Sequence, residues 1–254
     1  MFQENYFILS LLIVIFACSW IVNIIVENFA LVQEDVDFYI ITMKGEDRME
    51  NIKKQLQKIE ENNFDTKNVF LIDAIVGKNL DLDQMIQDGV LDPDAYLNQD
   101  PDPVKRRETH QREVGCYLSH MKAFQTVLKK GRPGYSVIFE DDFNLEDDFL
   151  QTLDDTLVKL KKKNFDVLFL GIIGYRGENV MDNVYHIHDS ESWGAHGYLI
   201  NNKSAAKIID KMKYIDTVLD KEIFDKGRTK ELTVYRIDPL IVGTASLSSG
   251  IRWL

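Results

Sequence analysis

The chain has 254 residues, with 41 acidic and 30 basic side chains and a formal net charge of −11. Its 45% apolar and 28% charged content is ordinary for a globular protein and excludes collagen-like, disulfide-stapled and disordered chains. The acidic balance argues against nucleic acid as a partner, because a phosphate backbone needs a basic footprint.

The first element in chain order is apolar. Residues 6–26 (YFILSLLIVIFACSWIVNIIV) carry no charge, and Glu4 is the only charged side chain before Glu27. As a helix this run would be roughly 31 Å long at ~1.5 Å per residue, which matches the hydrocarbon core of a bilayer. A cleaved signal peptide would want a basic start and a small-x-small cleavage site, whereas residues 1–5 hold no Lys or Arg. The expectation is an uncleaved N-terminal transmembrane helix within residues 1–30, with a signal peptide or a buried helix as the rivals. The positive-inside rule counts Lys and Arg, and none lies close on either side. The rule thus leaves the orientation weakly determined; the expectation is a short N-terminus on the cytoplasmic side and the domain on the far side, in a secretory-pathway lumen or cell envelope.

Residues 31–254 are expected to form one domain. Val36–Thr42 (VDFYIIT) reads as a buried strand. Glu46–Glu61 reads as a helix, with Met49, Ile52, Leu56 and Ile59 spaced for one face. Residues 69–75 form a second strand. Residues 77–112 are polar, hold Pro93, Pro101 and Pro103, and read as a long connection with a short helix near 82–88. A helix is expected over 113–130, stopped by Gly131 and Pro133. A strand over 135–139 runs into Glu140-Asp141-Asp142. A helix over 149–163, strands at 165–170, 184–187 and 195–200, helices at 204–212 and 216–226, and a strand at 232–237 follow. The alternation implies an α/β fold with a mainly parallel sheet, whose ligands bind at the carboxyl ends of the strands.

Three short segments carry candidate chemistry. In extended backbone Glu140 and Asp142 share a side and Asp141 takes the other, so two carboxylates can hold a divalent cation through oxygen. The competing reading is a solvated acidic loop. In Glu113-Val114-Gly115-Cys116-Tyr117-Leu118-Ser119-His120 the glycine is read as a tight helix entry, whose N-terminus favours anions. The bland reading is a helix start with a half-buried histidine. In Trp193-Gly194-Ala195-His196-Gly197-Tyr198, Trp193 can stack on a sugar face and His196 can accept a proton, or the aromatics are core. His186-x-His188 is read as an edge strand rather than a metal site. The two cysteines, Cys18 and Cys116, allow no disulfide within the domain and no cysteine-based zinc site.

Taken in order, these pieces resemble glycosyltransferase family 25, which includes lipopolysaccharide-biosynthesis galactosyl- and glucosyltransferases and procollagen galactosyltransferases. VDFYIITMKGEDRMENIKKQL resembles the family's opening, with Asp47-Arg48 after the first strand. IDAIVG resembles its Asp-Ala-x-x-Gly segment, EVGCYLSH its Glu-x-Gly-Cys-x-x-Ser-His, and VIFEDD its Glu-Asp-Asp signature. DVLFLG, the Gly-His-Gly-Tyr-like stretch and Ile215-Asp216 follow in family order.

The resemblance implies a single GT-A-like nucleotide-sugar-binding domain that inverts the anomeric carbon as it transfers a hexose. The donor it implies is a UDP-sugar, most often UDP-galactose or UDP-glucose. The acceptor would be a glycan, a lipid-linked saccharide or a hydroxylysine-type protein. A divalent cation, Mn²⁺ or Mg²⁺, would be held by Glu140 and Asp142, with Asp141. Asp47, Arg48, Glu113, Ser119, His120, Glu140 and Asp141 would shape the donor site. Asp216 is the first candidate base, with His196 and Glu191 behind it. Val76 stands where the family often has an acid, and no His or Asp follows Thr244 as a C-terminal metal ligand. A catalytically degenerate member that binds a glycan or partner, and a metal-dependent phosphohydrolase, are the alternatives.

Overall fold

The first strand shows why the chain builds a sheet with two covered faces. Every residue of β1 (Val36–Thr42) is buried, as a strand flanked by helices on both sides requires. Phe38 and Ile40 turn one way and Tyr39 and Ile41 the other, into two separate apolar clusters. A computed structural model describes residue 14 and residues 35–62, 64–96, 101–187 and 192–245. The expected anchor at 6–26, Val14 apart, together with Glu191 and His188, lies outside the described residues. Among the described residues no helix is long and apolar enough to cross a membrane.

In chain order β1 is followed by α1 (Glu46–Glu61), β2 (Val69–Asp73), α2 (Leu82–Gln87), β3 (Leu91–Tyr96), α3 (Pro103–Lys130), β4 (Tyr135–Glu140), β5 (Phe143–Leu145) and α4 (Phe149–Leu160). Then come β6 (Val167–Ile173), β7 (Arg176–Met181), β8 (Val184–Ile187), β9 (Trp193–Asn201), α5 (Ala205–Lys211), β10 (Ile215–Thr217), α6 (Leu219–Arg228), β11 (Val234–Ile237) and β12 (Val242–Thr244). Eight strands form the central sheet in the order β2-β1-β4-β9-β6-β11-β8-β7, and β10-β3 and β12-β5 form two small sheets.

One cluster packs Val114, Tyr117, Met121 and Phe124 of α3, Ala205 and Ile208 of α5, and Ile223 and Phe224 of α6 against the sheet. The other packs Ile52 and Ile59 of α1 and Phe149, Leu153, Leu157 and Leu160 of α4 against the opposite face. There the Phe139 and Phe143 rings stack at 4.4 Å and Phe38 stacks on Phe139 at 6.1 Å. Each such side chain contributes about 1.5–3 kcal/mol by leaving water.

The sheet corrects one expectation. It is mixed rather than mainly parallel: β1 pairs in parallel with β2 and β4, and β11 with β6, but β9 runs antiparallel between β4 and β6, and β8 lies antiparallel to β11 and β7. An apolar run does not encode its own direction, so β9 read as one more parallel strand.

A second correction concerns the polar stretch at 77–112. It contains a 3-10 turn (Gly77–Asn79), α2, β3 and the first turns of α3, which begins at Pro103 and not at residue 113. Asp102 caps α3 by accepting from the Val104 N–H, with Pro103 in the first turn. Gly115 therefore lies mid-helix. A Cβ there would meet the Gly77 backbone and the Ile75 carbonyl at 2.9 Å, and one on Gly77 would meet the Gln111 carbonyl at 1.9 Å. The two glycines let α3 press against the loop after β2. The helix-entry and anion-binding reading of Gly115 is replaced by this contact.

Helix α4 ends at Leu160 and strand β6 runs through Ile173. The helix expected at 216–226 is instead strand β10 followed by α6.

Candidate active site

The parallel strands bring their carboxyl ends to one edge, and β9 brings its amino end there. Ile41 lies opposite Glu140, Thr42 opposite Asp73, and Ile173 opposite Trp193. Glu140, the last residue of β4, points toward α3. Cys116 Sγ lies 3.7 Å from its Oε1 and His120 Nε2 lies 3.3 Å from the same oxygen. Cys116 and His120 are four apart on α3 and so share a face. His120 is fully buried, and its Nδ1 meets the Tyr198 hydroxyl at 2.7 Å.

The partners assign the protons. A carboxylate can only accept, so Nε2 carries a hydrogen toward Glu140 and Nδ1 accepts from Tyr198. Burial raises the Tyr198 phenol well above its usual value, with Cys116 and Glu140 adding to the shift, so it keeps its proton. Burial likewise raises the Cys116 thiol, reinforced by Glu140 and Asp220.

Asp141 and Asp142 have different surroundings. Asp141 accepts from the Arg48 guanidinium at 2.9 Å and from the Met43 N–H at 3.3 Å. Asn51 fastens the same turn by donating to the carbonyls of Asp141 and Phe143. Arg48 reaches Asp142 Oδ2 at 3.3 Å, while the buried Asp142 Oδ1 has no hydrogen-bond partner. Burial, then the Glu140 charge, lifts the Asp142 carboxyl to about 6 against the pull of Arg48. Glu113 is lifted to about 7, chiefly by burial, and its buried Oε2 also lacks a partner.

The structure gathers Arg48, Glu113, His120, Glu140, Asp141 and Asp142 at this edge. Arg48 is 8% exposed and turned to the acidic turn, so it organises carboxylates rather than lying open at the surface. Asp47 is exposed and accepts from the Arg48 N–H. Ser119 is buried; its hydroxyl donates to the Gly115 carbonyl and accepts from the Ile75 N–H, so it positions the loop after β2. His196 is 5% exposed, its ring beside Gly171 and Gly194. Asp216 lies apart as the exposed middle residue of β10, bonded to Glu222. His186 packs edge-on against Tyr235 at 5.1 Å.

Three residues at this edge were not among the expected ones. Cys116 was readable, since it lies one helical turn before His120. Tyr198 and Asp220 meet the site only through packing. Asp220, in the first turn of α6, accepts from the Gly194 N–H.

A divalent cation fits these residues on two observations. Glu140 and Asp142 lie close enough that the Glu140 charge is the strongest one felt by Asp142, and Asp142 offers a buried, unpartnered oxygen. The Cys116 thiol and His120 Nε2 carry hydrogens toward Glu140 and so brace it rather than act as ligands.

A mixed α/β fold with an acidic site at the carboxyl edge of its sheet is the class so defined. A profile of glycosyltransferase family 25 (LPS biosynthesis protein) matches residues 36–223. The chain belongs to that family. It is 26% identical over 227 residues to procollagen galactosyltransferase 1-A of Xenopus laevis, covering 81% of this chain and 35% of that protein. It is 27% identical over 238 residues to the probable inactive glycosyltransferase 25 family member 3 of Bos taurus, covering 87% and 38%. The chain thus spans about a third of the length of these relatives. Among solved structures it resembles a UDP-glucose pyrophosphorylase complexed with UDP-glucose, with a TM-score of 0.40, 10% identity, and coverage of 80% of this chain and 90% of that one. That likeness is too low to bear on function.

Proposed function

We propose that the protein transfers a hexose, galactose or glucose, from a UDP-sugar to a hydroxyl of a glycan, lipid-linked saccharide or hydroxylysine-bearing protein, with inversion, on a GT-A-like domain. The carrying observation is the set of carboxylates at the sheet edge. Glu140 and Asp142 lie together beside Arg48, Glu113 on α3 feels the charges of Arg112 and Asp220, and two buried oxygens of this set, Glu113 Oε2 and Asp142 Oδ1, have no hydrogen-bond partner. Burying carboxylates without partners costs stability, and a ligand that brings positive charge and hydrogen-bond donors offsets that cost. A divalent cation, Mn²⁺ or Mg²⁺, held by Glu140 and Asp142 would neutralise the leaving diphosphate.

The chain's own residues do the rest. Arg48 and Asn51 hold the turn, so Asp142 cannot swing away when the donor leaves. Tyr198 and His120 fix the rotamer of Glu140 from below. The indole of Trp193, 50% exposed at the rim, offers a stacking face to the acceptor sugar. We assign the apolar run at 6–26 to a membrane anchor that keeps the domain beside a secretory or envelope route.

The relatives' names support galactose as the sugar and a collagen-type acceptor as one candidate. They also supply the competing outcome, a non-catalytic binding protein. Purified full-length protein, offered UDP-galactose and UDP-glucose with and without Mn²⁺, is expected to release UDP. No donor-dependent UDP release and no thermal shift with UDP would sink the transferase reading. A thermal shift without turnover would favour the binding protein.

A further inference from the structure

Inverting transfer needs a group that takes the acceptor's proton, and the structure separates the candidates. Asp216 sits on β10 in a small sheet with β3. Its hydrogen bond goes to Glu222, which pairs with Lys226 at 3.1 Å. Glu222 and Asp220 are two apart on α6, hence about 200° apart around a helix of 3.6 residues per turn. The Asp216 cluster therefore faces away from the side that Asp220 presents. His196 is almost fully buried, its ring packed against Gly171 and Gly194.

Asp220 is placed differently. It is half-buried, and it accepts from the Gly194 N–H through Oδ2 and from the Lys221 N–H through Oδ1. One backbone donor on each oxygen fixes the plane of the carboxylate and leaves lone pairs on both. Gly194 adjoins Trp193, so the carboxylate lies one residue from the indole at the rim. Its charge is felt by Glu113 and Cys116 of α3, which places it across from Glu140 at the same edge.

We propose that Asp220 is the catalytic base, receiving the proton of an acceptor hydroxyl carried by a sugar ring laid on Trp193. The inference rests on the transferase reading above. As the acceptor oxygen bonds to the anomeric carbon, its proton passes to the Asp220 carboxylate. The bond from that carbon to the β-phosphate oxygen breaks, and its electron pair leaves on UDP. Asp220 then returns the proton to solvent.

The test uses full-length protein with UDP-galactose or UDP-glucose, water as acceptor, and azide as an anionic nucleophile that needs no base. Asp220→Asn is expected to lower the kcat for UDP release about 100-fold or more. Its donor KM and its thermal shift with UDP stay unchanged, and Asp216→Asn falls far less. Azide is expected to restore UDP release to Asp220→Asn at least ~10-fold, with an inverted glycosyl azide as product. The basis is that general-base catalysis is the only contribution removed. A retained carboxylate in Asp220→Glu keeps partial activity, and melting curves report whether each variant folds. Activity of Asp220→Asn within about threefold of wild type overturns the proposal. So does a loss confined to Asp216→Asn, or a loss that azide leaves untouched while UDP still binds, since the residue would then only position others. Absence of UDP release by the wild-type protein overturns the transferase reading itself.

Discussion

The two edges of the central sheet both bury carboxylates, and they treat them in opposite ways. At the amino edge Asp37 of β1 is 1% exposed and is paired with Lys130 and Arg132, each at 2.9 Å. Asp166, just before β6, accepts from Lys207 at 2.6 Å and from the Thr233 N–H at 2.7 Å. Burial alone would raise the Asp166 carboxyl, but Lys207, Ser204 and the Thr233 N–H hold it below its usual range. At the carboxyl edge burial dominates instead: Asp142 is lifted to about 6 and Glu113 to about 7. The amino edge is neutralised by the fold itself. At the carboxyl edge Arg48 beside Asp142 and Arg112 beside Glu113 only partly offset burial, as expected of a site that a ligand completes.

The largest expected effect tests the carboxyl edge. Asp142→Ala should lower UDP release by about 100-fold or more, the usual scale for removing a group that stabilises developing charge, and leave the far-UV circular dichroism intact. Turnover near wild type would move the cation elsewhere. The amino edge should show the reverse. Asp37→Ala strands Arg132 and Lys130, which are partly exposed and can turn to water, so the loss is about 2 kcal/mol of stability. Thermal melts should show it as a fall of roughly 4–8 °C, with kcat per folded molecule unchanged. A variant that melts normally but loses activity would erase the contrast.

The smallest effect is in pH. Asp142, Glu113 and Glu222 all have folded-state values raised above their ordinary 3.8 or 4.5, to about 6 or 7. Such acids bind more protons folded than unfolded, so stability falls as pH rises from their unfolded values through about 7 and is level above it. The melting temperature of the ligand-free protein should therefore drop by a few degrees between pH 5 and 7.5. Asp142→Asn should drop less and should melt higher than wild type at pH 7.5. A rise over that window would mean that the carboxyl edge is neutralised after all.

Much of the fold was legible because it rests on local signals. Val36–Thr42 and Glu46–Glu61 are as the sequence indicates, since an unbroken apolar run and a 3.6-residue period leave few alternatives. The acidic turn stood out because three acids end an apolar strand. The start of α3 did not, because its first turns are polar and its cap at Asp102 sits among prolines. Ser119 and Arg48 stood out in the motifs, but only the fold shows that the hydroxyl braces the Ile75 N–H and the guanidinium braces Asp141.

The sequence by itself determined the alternation of strands and helices, the placement of Glu140-Asp141-Asp142 at a strand's end, and the motif order that marks the family. Periodicity and chemistry along the chain carry that information. Only the tertiary structure decided that β9 enters the sheet backwards, that Cys116 and His120 meet Glu140, and that Asp220 rather than Asp216 stands beside Gly194. Those facts depend on strand direction and on contacts between residues 20 to 80 positions apart. A chain records such contacts in how its surfaces fit together, not in any local pattern.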